Sequence, residues 1–199
     1  MNRSIILFLA VLFLIILGFA LILTGGHGNK KTPANSGPAI MALPDYSNTD
    51  ATTSLTIGGI VNGDEMHRQI RITIGSEERK VDIIQGYGNN VINTQSFYNN
   101  PDAYGVFLRS ISYAGFLNAI KKPAVTSNPA GQCPLGNTFI YQLNQEGETL
   151  SNLWSSTCGV KVGTLGGNSN LLQTLFQNQI PNYNTITQNV NLAATTTTQ

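Results

Sequence analysis

The most pronounced pattern in the chain is an uncharged, almost wholly apolar run of 19 residues from Ile5 to Leu23. A helix of that length is about 28 Å long, close to the roughly 30 Å thickness of a bilayer's hydrocarbon core. We therefore expect residues 1–24 to form a transmembrane signal anchor that is not cleaved. A cleaved signal peptide is the alternative, although its apolar region usually spans only about 7 to 15 residues.

The polarity of the chain then changes twice. Residues 25–53 contain Pro33, Pro38 and Pro44 among Gly, Ser, Asn and Thr, a composition typical of a flexible tether. Residues 184–199 are rich in Asn, Gln and Thr and are expected to be a disordered polar tail. The stretch between them, residues 54–183, is long enough for one folded domain.

Alternating apolar and polar positions predict a β-hairpin early in this domain. Residues 69–74 alternate strictly, residues 75–78 have the composition of a turn, and residues 80–83 resume the alternation. A shorter pattern at 55–57 predicts an earlier strand. Asn100 followed by Pro101 is typical of a helix start, and apolar residues then recur at helical spacing up to Ala114.

A second hairpin and a second helix follow in the same order. Residues 138–143 and 149–154 are the predicted strands, with a three-residue turn at 145–147. The predicted helix is capped by Asn168 or Ser169 and carries an apolar face of Leu171, Leu172, Leu175 and Phe176. The sequence therefore predicts an α+β fold with an antiparallel sheet and two hairpin-helix units, a ββαββα-like order.

Charged residues make up only 11% of the chain, and the formal net charge is +1. Binding to phosphate backbones needs a surplus of Lys and Arg. We therefore expect that this protein has no nucleic-acid partner. The flanking charges do not decide the orientation of the anchor, since Arg3 and the α-amino group are balanced by Lys30 and Lys31. The short N-terminal tail and the Thr- and Asn-rich, Lys-poor remainder favour an extracytoplasmic C-terminal domain.

Candidate catalytic chemistry is sparse. Asp64, Glu65 and His67 form the only acid-and-imidazole cluster, and its spacing matches no zinc or calcium motif. No Gly-x-Ser-x-Gly turn is present to offer a nucleophilic serine. We therefore expect no metal, no cofactor and no catalytic activity, with a hydrolase that uses Asp64, Glu65 or His67 as the alternative.

A recognition surface is the more promising site. The segment around 86–98, interpreted as a long ordered connection, contains aromatic rings beside amide side chains. Such uncharged surfaces suit contacts with peptides or glycans. The candidate residues are Tyr87, Asn89, Asn90, Phe97 and Tyr98, with packing of the rings into the core as the alternative.

The two cysteines, Cys133 and Cys158, flank the second hairpin. A three-residue turn would make paired positions sum to 292 and would place Cys158 opposite Pro134, one residue from Cys133. A disulfide between them is expected in an oxidising compartment, and two free thiols are the alternative. This disulfide is also an argument for the extracytoplasmic side.

Together these features predict a single-pass protein of the cell membrane whose extracytoplasmic domain binds a protein or a cell-envelope component. The alternatives are the envelope hydrolase and a structural subunit of an envelope assembly.

Overall fold

A computed structural model describes residues 40–121, 126–158 and 163–192. Its elements run in the order 3-10 helix Leu43–Asn48, β1 Thr52–Gly58, β2 Arg68–Ile74, β3 Glu78–Gln85, β4 Asn90–Tyr98, α1 Pro101–Tyr113, β5 Thr138–Gln145, β6 Glu148–Ser156, α2 Ser169–Gln177 and α3 Tyr183–Thr187. The strands form one antiparallel sheet in the order β4-β3-β2-β1-β5-β6. The predicted α+β class is confirmed.

The transmembrane anchor predicted for residues 1–24 lies outside the described residues. Among the helices that the structure describes, none has the length and apolar character needed to span a bilayer.

One face of the sheet carries the core. Leu55 of β1 pairs with Ile72 of β2 and with Tyr141 of β5, and all three side chains are buried. Helices α1 and α2 supply the apolar side chains that pack against this face, including Phe107 and Phe176, whose rings meet edge to face at 5.1 Å. The opposite face is polar: Asp82 lies 3.6 Å from the Lys80 ammonium and accepts a hydrogen bond from the Thr94 hydroxyl.

Both predicted hairpins are present, and their apolar positions face the core. In β2, Ile70, Ile72 and Ile74 are buried while the residues between them are half-buried, as an amphipathic strand requires. Helix α1 begins as expected, with the Asn100 side chain accepting a hydrogen bond from the Ala103 amide. Asn168 caps α2 in the same way through the Leu171 amide.

Three finer expectations need correction. The ββαββα-like order omits β4, which follows the first hairpin before α1 begins. The loop of the second hairpin has two residues, Glu146 and Gly147, because Gln145 pairs directly with Glu148. Leu171, expected on the apolar face of α2, is 44% exposed, since it lies on the first turn, beside the buried stripe formed by Leu172 and Phe176.

Ordered structure extends beyond the expected limits of 54 and 183. Leu43 and Tyr46 of the 3-10 helix are buried in the main core. At the other end, Ile186 and Val190 pack against the same core while half-buried. Apolar side chains on both sides of the predicted domain therefore pack against its core. Residues 25–39 of the predicted tether and 193–199 of the predicted tail lie outside the described residues.

Candidate functional site

Strand β4 forms one edge of the sheet. It pairs with β3 along its inner side, from Asn90 opposite Gln85 to Tyr98 opposite Glu78. Of its nine residues all except Phe97 are exposed. Within the described residues no strand pairs with its outer side, so a row of backbone amide and carbonyl groups faces solvent there.

The segment that contains the candidate recognition residues is therefore an edge strand and not a loop. Tyr87, Asn89 and Asn90 lie at its start, whereas Phe97 and Tyr98 lie at its end. A strand rises about 3.3 Å per residue, so roughly 25 Å separates the two groups. The five side chains line the two ends of one edge and do not form a single patch.

Just before β4 begins, the Tyr87 side chain helps to hold two connections of the fold together. It stacks on the His67 ring with a centroid distance of 4.0 Å. Its hydroxyl accepts a hydrogen bond from the Asn62 amide and donates one to the Asn62 carbonyl. The Tyr87 amide donates to the Asp64 carboxylate at 2.8 Å. This ring therefore holds the β1–β2 connection against the β3–β4 turn while about half its surface stays exposed.

Asn89 closes the same turn. It has a left-handed backbone with φ of 63°, a conformation that Asn tolerates better than most residues. Its side-chain oxygen accepts a hydrogen bond of 2.6 Å from the Arg71 guanidinium on the polar face of the sheet. Asn90 is exposed and begins β4. Of this group, Asn90 is the residue that lies on the edge itself.

At the far end of β4 the two aromatic residues differ. Phe97 is half-buried and packs against the core, whereas Tyr98 is 78% exposed. The Tyr98 carbonyl accepts two hydrogen bonds from the Arg79 guanidinium, at 2.8 and 3.2 Å, and Arg79 also donates to the Gln179 carbonyl. The expectation of core packing thus holds for Phe97, while the Tyr98 side chain is available for contacts.

Two side chains of the acid-and-imidazole cluster, those of Asp64 and His67, hold the fold, whereas Glu65 contributes only its backbone carbonyl. His67 is buried, and its Nδ1 lies 3.0 Å from the Ile60 carbonyl, which requires Nδ1 to carry the hydrogen. Asp64 accepts from the Tyr87 amide, and the Glu65 carbonyl accepts from Arg68. In the ranges 40–121, 126–158 and 163–192, no three His, Cys, Asp or Glu side chains are arranged to hold a metal ion.

An acidic cleft of about 930 Å³ adjoins the Tyr98 end of β4. Its lining includes the carboxylates of Asp50, Glu77 and Glu78. Sequence reasoning treated Glu77 and Glu78 only as turn residues, because the cleft is assembled from segments near residues 50, 76 and 99 that no local pattern connects. Its charge favours cationic over anionic groups near this end of the strand.

The opposite edge of the sheet, β6, is partly covered. Gly163 forms an isolated bridge with Ser155. The Trp154 carbonyl accepts hydrogen bonds from the Thr164 and Leu165 amides at 2.8 and 2.9 Å. The two edges of the sheet therefore differ at one place: these bonds cover the C-terminal end of β6, at Trp154 and Ser155, whereas no strand of the described residues pairs with the outer side of β4.

The predicted disulfide is confirmed, and it lies just after the C-terminal end of β6. Cys133 and Cys158 are bonded, with their Cα atoms 5.5 Å apart. The pairing sum near the hairpin base is 294, as in Thr138 opposite Ser156, and not the expected 292. In this register Cys158 would lie opposite Gly136. A turn closed by a hydrogen bond from the Gly136 amide to the Cys133 carbonyl brings Cys133 back to within bonding distance of Cys158.

Two buried phenols are structural as well. Burial raises the pKa of Tyr104 above its usual range, and its hydroxyl donates to the Ala51 carbonyl at 3.0 Å. Burial also raises the pKa of Tyr141, whose hydroxyl lies 2.9 Å from the Ser169 hydroxyl. Both side chains therefore stay protonated and neutral in the folded domain at physiological pH.

Comparison of the chain with protein-family models, with curated proteins and with solved structures finds no match.

Proposed function

We propose that this protein is a single-pass membrane protein of the cell surface or envelope, and that its extracytoplasmic domain is a non-catalytic binding domain. The observation that carries the proposal is the open edge of β4, which offers unpaired backbone groups along an uncharged strand. Strand addition to such an edge is a common mode of protein recognition. The partner is accordingly a protein segment that can adopt an extended conformation.

The membrane and extracytoplasmic parts of the proposal rest on two supports. The apolar run from Ile5 to Leu23 has the length of a membrane span. The disulfide between Cys133 and Cys158 is of the kind that persists in oxidising compartments and is rare in the cytosol. Protease added to intact cells or spheroplasts should remove the domain; protection until the membrane is lysed would contradict this orientation.

The hydrolase alternative lacks comparable support. A histidine that acts as a general base needs its unprotonated ring nitrogen within reach of a substrate proton, but His67 is only 5% exposed and Tyr87 stacks on its ring. The purified chain should show no turnover of ester, peptide, glycan or phosphate substrates. Turnover that His67→Ala abolishes would favour the hydrolase.

The binding role can be tested at the edge itself. A photo-reactive amino acid placed at Ser96 in the full-length chain should form an ultraviolet-dependent adduct in native membranes. The matched control is the same substitution at Tyr113, which is 92% exposed and ends helix α1, outside the sheet. Equal adducts at both positions, or none at Ser96, would contradict recognition through β4.

A further inference from the structure

We infer that the occupant of the β4 edge is a second copy of this chain, with the two β4 strands paired antiparallel about a two-fold axis. This inference rests on the proposed binding role of β4 and adds the identity of the partner. The two six-stranded sheets would then join into one continuous sheet, as isologous dimers of edge strands do.

The direction of the backbone groups identifies which residues of β4 are free to pair. The Asn99 amide donates to the Glu77 carbonyl at 2.8 Å, so the residues that alternate with Asn99, Phe97 and Gln95 among them, bond towards β3. Thr94 and Ser96 lie between these positions. Their amide and carbonyl groups therefore point away from the sheet.

The end of the free edge is also defined. Because the Arg79 guanidinium already bonds to the Tyr98 carbonyl, the acceptor at that end is occupied within the chain. At the other end the regular pairing with β3 is interrupted at Ile92, so the free groups between these limits, on Thr94 and Ser96, are centred on Gln95. In a symmetric pair centred there, Thr94 of one copy would exchange both hydrogen bonds with Ser96 of the other, and each Gln95 would face its own counterpart.

Charge permits this self-pairing. Strand β4 reads NVINTQSFY and contains no Lys, Arg, Asp or Glu, so a second β4 meets no charge of like sign along the strand. On the adjacent strand Lys80 is bonded to Asp82 and Arg79 to the Tyr98 carbonyl. The remaining carboxylate, Glu78, lies opposite Tyr98 and three residues along β4 from the axis at Gln95. Edge strands usually carry Lys or Pro to prevent such pairing, and β4 has neither.

The symmetry of the contact limits the assembly to two copies. An edge-to-edge contact propagates into a filament when β4 of one copy pairs with β6 of the next. At the C-terminal end of β6 the Trp154 carbonyl is bonded to the Thr164 and Leu165 amides, which hinders such pairing there. Pairing through β4 alone is isologous, so it closes on itself.

Cysteine cross-linking in native membranes tests the register. In the full-length chain Gln95→Cys should give a disulfide-linked dimer under mild oxidation, because facing residues that do not exchange hydrogen bonds lie about 4.5 Å apart between Cα atoms, within disulfide range. The native cysteines are already bonded to each other. Asn93→Cys is the matched control, since residue 93 would face Phe97 and not its own counterpart.

A proline tests the pairing itself. Adding Ser96→Pro to Gln95→Cys removes an outward-pointing amide and leaves the bonds to β3 in place, so the cross-link should be reduced at least tenfold with the far-UV circular dichroism spectrum unchanged. If the proline variant fails to fold, Thr94→Lys with Ser96→Lys replaces it, because lysines would then face each other across the axis.

The outcomes separate this inference from the proposed function. A second copy is contradicted if Gln95→Cys gives no dimer, if Asn93→Cys cross-links equally well, or if the proline has no effect. Should Gln95→Cys fail while the photo-reactive group at Ser96 captures a chain of another mass, the binding role stands and the second copy is wrong. If both fail, the proposed function is wrong as well.

Discussion

Tyr104→Phe removes one oxygen atom from the centre of the domain and tests how burial controls a phenol. The Tyr104 side chain is fully buried on α1, and its hydroxyl donates to the carbonyl of Ala51, a residue that is itself fully buried. The substitution keeps the ring and its packing but leaves that carbonyl without its donor. Tyr113, at the end of the same helix, is 92% exposed and provides a matched control.

The expected magnitude depends on pH. Near pH 8, loss of the partner of a buried carbonyl should lower the free energy of unfolding by about 1–3 kcal/mol. Burial raises the pKa of Tyr104 in the folded state, whereas an unfolded tyrosine ionises near pH 10. Above about pH 10 the unfolded wild-type chain therefore releases a proton that the folded chain keeps, and by pH 11 this costs the folded state about 1.4 kcal/mol.

Tyr104→Phe cannot release that proton in either state. The stability difference between the wild type and Tyr104→Phe should accordingly shrink by about 1.4 kcal/mol between pH 8 and pH 11. Urea unfolding at the two pH values, followed by circular dichroism and by the fluorescence of the single buried Trp154, measures it. A constant difference, or the same change in Tyr113→Phe, would refute the reasoning.

Three further sets of substitutions test the local structure. Replacing both Cys133 and Cys158 by Ser should lower the free energy of unfolding by about 3 kcal/mol, because the disulfide closes a long loop, and the wild type under reducing conditions should match it; an unchanged Tm would contradict this. Asn100→Ala should cost about 1 kcal/mol by removing the cap of α1, with Asn100→Ser retaining most of the stability. Glu146 and Gly147 have φ of 51° and 81°, so thermal melts should show Glu146→Asn stabilising and Gly147→Ala destabilising the domain; the opposite order would contradict a type I′ turn.

Strands and helices with one buried face could be predicted from the sequence, because apolar residues then recur along the chain at the spacing of that strand or helix. The alternation of Ile70, Ile72 and Ile74 gave β2, and capping residues gave both long helices. The same principle explains the 3-10 helix outside the expected domain: its two buried residues, Leu43 and Tyr46, lie in an otherwise largely polar stretch. Two apolar residues in a proline-containing segment are too few to establish a period.

Strand β4 was interpreted as a loop for a related reason. All its residues but Phe97 are exposed, so neither side of the strand imposes an apolar period on the sequence. Ile92 is an extra residue in the register between Asn93 and Val91, which breaks any remaining alternation. An edge strand that is exposed on both faces therefore gives only a weak signal in the sequence.

Long-range contacts explain the remaining differences at the site. The stacking of Tyr87 on His67 joins two connections separated by two strands, and nothing in either local sequence encodes it. The disulfide was predicted correctly although the expected register was shifted by two residues, because a turn near Cys133 returns the chain towards Cys158. Proximity in a hairpin is thus a more robust inference than exact register.

The two edges of the sheet differ in how their backbone groups are bonded at the C-terminal end of β6. Covering β6 requires an unusual backbone: Gly163 has φ of 147°, and a Cβ at that position would meet the Trp154 carbonyl. Thr164 adds a side-chain bond to the Trp154 amide. Unpaired edges expose a protein to association. The uncharged, proline-free sequence of β4, beside the covered C-terminal end of β6, therefore supports the proposed pairing through β4.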